Sequence, residues 1–161
     1  MNAVAYRATM SKARARSRLA ATAVLSLWAM PLTGTAQAAT ASLDVTISGI
    51  KSAKGVIRLA ICPPDTGFPD CKDKAVRTAS LPIENGTARM TFTGLPVGTY
   101  AVSVFHDANG NGKLDTFVGI PKEGYGFSRN PPFRPRAPKW AEAEIALKSA
   151  EFLSIKIRYI L

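Results

Sequence analysis

Beyond residue 38 the chain alternates apolar and polar positions with a period of two, the pattern of strands that bury one face. Leu43, Val45 and Ile47 share one side, as do Ile57, Leu59 and Ile61. Tyr100, Val102, Val104 and His106 alternate with Ala101, Ser103, Phe105 and Asp107. The last two runs are Ala143, Ile145, Leu147 and then Leu153, Ile155, Ile157, Tyr159, with Lys156 and Arg158 facing outward. Asn85-Gly86 stands between the segment ending at Ile83 and the run Ala88, Met90, Phe92. That dipeptide supplies the positive φ angles of a tight turn, so it predicts a hairpin. No segment here has the length and period of a long amphipathic helix. About seven short strands joined by Gly- and Pro-rich turns predict an all-β fold, a two-layer antiparallel β-sandwich of immunoglobulin-like or transthyretin-like type.

The first residues break this rhythm. Arg7, Lys12, Arg14, Arg16 and Arg18 precede an apolar run from Leu19 to Leu32 and then Ala36-Gln37-Ala38. A basic segment, a short apolar segment and a small-x-small site predict a secretory signal, residues 1–38, cleaved after Ala38. The run falls short of the roughly 20 apolar residues a spanning helix needs, so no membrane span is expected after cleavage. Without an Arg-Arg pair the general secretion route is expected, to the periplasm or the medium. Residues 39–161 then form a single β-sandwich domain with one core.

Removing the signal also changes the charge. It holds five of the 21 basic residues and none of the 11 acidic ones, leaving 16 against 11 instead of the formal +10. That excess suits solubility or attraction to an anionic envelope surface, and no motif points to nucleic acid. In an oxidising compartment the close pair Cys62 and Cys71 predicts a disulfide that staples the Pro- and Gly-containing loop between them.

The strand rhythm has one long interruption, from His106 to about Trp140, and loops of that length in a compact domain are functional or disordered. Its second half, Asn130 to Pro138, reads as extended polyproline-like chain. Three stretches carry a resemblance: Gly94-Leu95-Pro96 to Gly98-Thr99-Tyr100-Ala101-Val102, His106-Asp107-Ala108-Asn109-Gly110-Asn111-Gly112-Lys113-Leu114-Asp115, and Gly119-Ile120-Pro121-Lys122-Glu123-Gly124-Tyr125-Gly126-Phe127-Ser128. Together with Trp140-Ala141-Glu142-Ala143 they resemble a family of exported bacterial proteins catalogued as domain of unknown function 2141. The resemblance implies a periplasmic, surface or secreted β-sandwich and no established activity. The Gly-Leu-Pro-x-Gly-x-Tyr element also resembles transthyretin-like or carboxypeptidase regulatory modules, which are accessory domains more often than catalysts.

Three chemistries compete for the loop. Asp107, Asn109, Asn111, Gly112 and Asp115 follow the start of a calcium loop, with oxygens at alternate positions, glycine at the sharp turn and the Lys113 carbonyl as a further donor. The twelfth position is Val118 instead of Glu, and Glu123 would have to fold back to supply that carboxylate. The same residue types equally make a metal-free polar turn. His106, on the face of Val102 and Val104, reads as a buried anchor between loop and core. The catalytic alternative is a hydrolase-like enzyme with His106 and Glu123 as acid-base groups, joined by Asp107, Tyr125 and Ser128. It lacks a recognised nucleophile motif. A binding reading takes Tyr125, Phe127, Phe133 and Trp140 as aromatic anchors and Arg129, Arg134, Arg136 and Lys139 as a cationic rim, suited to an anionic glycan, a peptide or an envelope protein partner. The expectation is an exported, non-enzymatic module with calcium as its candidate ion.

Overall fold

The structure, a computed structural model, describes residues 38–161, so the expected signal lies outside the described residues except for Ala38. The described elements are β1 (Thr40–Ser48), β2 (Val56–Cys62), a 3-10 turn (Lys72–Lys74), β3 (Arg77–Leu81), β4 (Ala88–Pro96) and β5 (Gly98–Asp107). They continue with β6 (Thr116–Phe117), β7 (Ile120–Pro121), β8 (Tyr125–Phe127), the one-turn helix α1 (Trp140–Ala143), β9 (Glu144–Leu147) and β10 (Ala150–Lys156). The seven runs read from alternation correspond to β1 to β5, β9 and β10.

Two sheets face each other. One has the order β10-β1-β4; the other has the order β3-β2-β5-β8, with β9 also on β5. Pairing is antiparallel among the described strands except between β1 and β10, which run parallel. The immunoglobulin arrangement puts the first and second strands in one sheet. Here β1 and β2 are in opposite sheets.

The inward face of each strand makes one core. Leu43, Val45 and Ile47 meet Ile57, Ile61, Val102, Leu147 and Ile155, all fully buried. Burying such a side chain contributes about 1.5–3 kcal/mol relative to leaving it in water, so this core is the main stabilising term. Tyr100 closes the lower end, its hydroxyl donating to the Pro96 carbonyl at 2.7 Å. That bond explains the spacing of the Gly-Leu-Pro-x-Gly-x-Tyr element, whose Gly98 lies against the Tyr100 ring.

The turn at Asn85-Gly86 forms as expected, with φ of 50° and 72° and Glu84 and Thr87 exchanging backbone hydrogen bonds. The hairpin does not extend beyond that bridge. β3 pairs with β2 and β4 with β1, so the chain crosses from one sheet to the other at the turn. Turn chemistry sets local φ and ψ, while burial of the apolar faces decides which strands pair.

The long interruption carries three short strands. β8 continues the sheet at the upper half of β5 and β9 at its lower half, so residues 128–143 are an excursion from a broken edge strand. Asn130 ties this excursion to β10: its amide oxygen accepts from Lys156 N at 2.7 Å and its amide nitrogen donates to the Ser154 carbonyl at 2.9 Å. One side chain thereby covers two backbone groups of an edge strand that would otherwise be open to pairing.

Candidate functional site

β1, β5 and β10 finish, and β2 and β4 start, at one end of the sandwich. There the loop after β5 holds its shape through its own carboxylates. Asp107 is fully buried. One of its oxygens accepts from Arg58 Nε at 2.6 Å and from Gly112 N at 2.9 Å, and the other accepts from Asn111 N at 3.0 Å. Burial on its own would raise its pKa, but the Arg58 hydrogen bond and charge and the Gly112 and Asn111 amides outweigh it and hold the carboxyl below its ordinary value. Asn109 and Asn111 accept from the backbone two residues on, the local bonding that makes Asn a turn former. Their amide nitrogens donate to the two Asp115 oxygens at 2.7 and 3.0 Å. Glu123 folds back: its oxygens accept from Ala108 N at 2.9 Å and Asp115 N at 3.0 Å, so the carboxylate bridges the two ends of the loop. Opposite, Gly55 has φ +73°, and a Cβ there would stand 1.9 Å from the Asp107 carbonyl, so only glycine permits this approach.

The residues read as calcium ligands are therefore brought together. Their oxygens are aimed at N–H groups, and the Asp107 charge is balanced by Arg58. Lys113 lies on the exposed outer wall of the loop.

His106 is buried on the core side of β5. Nε2 is 2.7 Å from the Lys54 carbonyl and Nδ1 is 2.8 Å from the Tyr159 hydroxyl. A carbonyl only accepts, so Nε2 carries the proton, and in the neutral ring Nδ1 accepts from Tyr159 O–H. Tyr159 in turn accepts from Lys51 N at 3.1 Å. This relay ties the β1 to β2 loop, β5 and the chain after β10 together. Ser128, placed beside His106 in the hydrolase-like alternative, is fully buried and distant along β5. Its hydroxyl donates to the Ala143 carbonyl and accepts from Val102 N at 2.9 Å.

The outer face of the larger sheet carries an open groove of about 670 Å³. The register builds it. Thr78, Ala60, Ser103 and Phe127 stand in one row across four strands, and Ser80, Arg58, Phe105 and Tyr125 in the next. Three short side chains in the first row leave a trough, and Tyr125 and Phe127, with ring centroids 5.7 Å apart, raise a wall beside it. The second wall is the disulfide loop. Cys62 and Cys71 are bonded, as expected, and both are buried. Pro69 accepts from Ser103 Oγ at 2.9 Å, and Phe68 packs edge-on against Phe127 at 5.7 Å. Gly112, Lys113 and Leu114 close the end nearest the polar loop. The Arg58 guanidinium, fixed by Asp107, also reaches Ser80 Oγ at 3.4 Å. His106 and Glu123 do not line this groove.

The remaining aromatic and basic candidates lie elsewhere. Phe133 is 58% exposed and, with Arg134 and Arg136, borders a dimple of about 20 Å³ on the far side of the Tyr125 and Phe127 ridge, room for about one water. Arg136 pairs with Glu142 through two contacts of 2.8 and 2.9 Å, and Arg134 stands 3.9 Å from the same carboxylate. The Arg136 hydrogen bond, the Lys139 amide and both arginine charges hold the Glu142 carboxyl down at about 2. Arg129 is exposed and reaches the Ala141 carbonyl at 3.4 Å. Trp140 opens α1, and its buried indole N–H has no hydrogen-bond partner among the described residues.

Sequence reading missed Arg58, Phe105, Phe68 and the short floor residues. Ala60, Thr78 and Ser103 carry no chemical signal singly. The trough exists only because the register aligns them.

Fold and site define a disulfide-stapled β-sandwich with an open groove on one sheet. The chain belongs to the family described as "Uncharacterized protein conserved in bacteria (DUF2141)", whose model matches residues 45–153, about two thirds of the sequence. No curated protein and no solved structure matches the chain.

Proposed function

We propose that this protein is an exported, non-catalytic module of the bacterial envelope that holds a short glycan segment in the groove of its larger sheet. One observation carries the reading: a groove of about 670 Å³, within the usual size range of ligand sites, whose floor is small and hydroxyl-bearing and one of whose walls is the aromatic pair Tyr125 and Phe127. A sugar ring lays its C–H face against Tyr125 or Phe127 while its hydroxyls meet Ser80, Ser103, Thr78 and the Arg58 guanidinium. Arg58 is neutralised by Asp107, so Lys113 at the end of the groove is the lining cation that would favour an anionic sugar. Export is supported by the N-terminal pattern and by a buried disulfide, the bond of an oxidising compartment.

The test is calorimetric titration of neutral and uronate-bearing oligosaccharides into the wild type, Phe127→Ala and Ala60→Arg, which fills the trough. Expected is binding that weakens at least about tenfold in both variants while thermal melting of Ala60→Arg stays near wild type. Short peptides that bind where sugars do not would replace the ligand class. Sugar binding that ignores Ala60→Arg would remove the groove as its site.

A second reading, a weak calcium site in the Asp107 to Asp115 loop, is favoured by the return of Glu123 across that loop. Calcium binding there requires the Asn109 and Asn111 amides to turn their oxygens toward the ion and release Asp115. That rearrangement points to low affinity, in the roughly 10⁻⁴ to 10⁻³ M range of extracellular modules.

A further inference from the structure

The β6 and β7 ribbon ends in an apolar tip. Phe117 and Ile120 are cross-strand partners and so share one face of the ribbon, with Val118 in the turn between them. The three are 64%, 43% and 85% exposed. Val118 has φ 48°, a left-handed conformation that a β-branched residue tolerates poorly and that Asn or Gly adopts with little strain. Folding gains nothing from exposed apolar area on a strained turn, which points to a contact made outside the fold.

The end of the sandwich that carries the tip is cationic. Lys51, Lys54 and Lys122 are exposed at this end, and none forms an ion pair among the described residues. The carboxylates of the adjoining loop are engaged inward, Asp107 by Arg58, Asp115 by two Asn amides and Glu123 by two backbone N–H groups. Glu84, in the turn after β3, is the exposed acid at this end. Three side chains on a two-residue ribbon are too few for a stable protein interface, which needs about 800 Å² from each partner. They do suit insertion of a tip into the boundary between lipid headgroups and acyl chains.

We propose that this tip docks on an anionic lipid bilayer, with Phe117, Val118 and Ile120 entering the acyl boundary and Lys51, Lys54 and Lys122 meeting headgroup phosphates. The groove, on the outer face of a sheet, plays no part in this contact.

The full chain is expressed and recovered from the periplasm, its N-terminus read by intact mass, and co-sedimented with vesicles of phosphatidylglycerol and phosphatidylcholine or of phosphatidylcholine alone. Partitioning should be at least about tenfold stronger on the anionic vesicles and fall toward the neutral level in Lys54→Glu/Lys122→Glu. Phe117→Ser/Val118→Gly should lower it by about tenfold or more, since two apolar anchors are lost. The single variant Val118→Gly separates folding from binding: its melting temperature holds or rises, because glycine relieves the positive φ, while partitioning drops. Phe117→Trp should blue-shift on anionic vesicles and be quenched by lipids brominated high in the acyl chain. Wild-type protein that ignores anionic vesicles, or partitioning equal in wild type and the double variant, would overturn the proposal. So would a concentration-dependent dimer that the double variant abolishes, since the tip would then be a protein interface.

Discussion

His106 shows what a single inward side chain holds in place. Its ring meets a carbonyl from the β1 to β2 loop and a hydroxyl from the chain after β10. His106→Ala takes from the part-buried Lys54 carbonyl and Tyr159 hydroxyl the partners they have in the fold, which costs about 1–3 kcal/mol in stability measured by urea unfolding. Tyr159→Phe, which removes only the hydroxyl and its two bonds, should fall in the lower part of that range. A His106→Ala protein that unfolds with the wild-type midpoint yet has lost an activity would replace the anchor with a catalytic role. The anchor was readable from alternation alone, because His106 continues the apolar face of Val102 and Val104. Asp107 was not. Alternation points it outward toward water, and only the packing of Gly55 and Arg58 over that position buries it.

At the scale of elements, the disulfide loop is both a staple and a wall. Its stabilising effect in the chain-entropy model is about 2–3 kcal/mol for so short a loop. Cys62→Ser should lower the unfolding free energy by about that amount, and it should also weaken any groove ligand. The loop that carries Phe68 and Pro69 over the trough then loses its tether while the sheet beneath remains. A variant that is destabilised yet binds with wild-type affinity would show that the loop shields nothing the ligand uses. The pairing of Cys62 with Cys71 was legible from spacing, since the chain contains only these two cysteines. The loop's position over Ser103 was not, because nothing local to residues 63–70 specifies which sheet face they fold across. The Asn85-Gly86 turn makes the same point: its dihedral angles were legible and its pairing partners were not.

For the molecule as a whole, calcium binding would appear as linkage. An ion that binds only the folded state raises its stability by mass action, about 1.4 kcal/mol at ten times the dissociation constant. Thermal melting in chelator and in millimolar calcium should therefore differ by a few degrees in the wild type. It should not differ in Asp115→Asn, where one of the loop's carboxylates is lost. Melting that is the same in both conditions for the wild type would leave the loop as a polar turn sustained by its own hydrogen bonds.

Alternation, turn residues and cysteine spacing are local properties, and by themselves they determined the all-β class, the seven main strands, the disulfide and the loop most crowded with polar chemistry. The parallel pairing of β1 with β10, the crossing between sheets at Asn85-Gly86 and the seating of β8 on β5 depend on contacts between residues far apart in the chain. They are selected by which apolar faces can be buried together. The groove belongs to this second group. Its floor of Ala60, Thr78 and Ser103 is ordinary in each strand, and it becomes a site only when the register sets three short side chains in a row beneath Phe127.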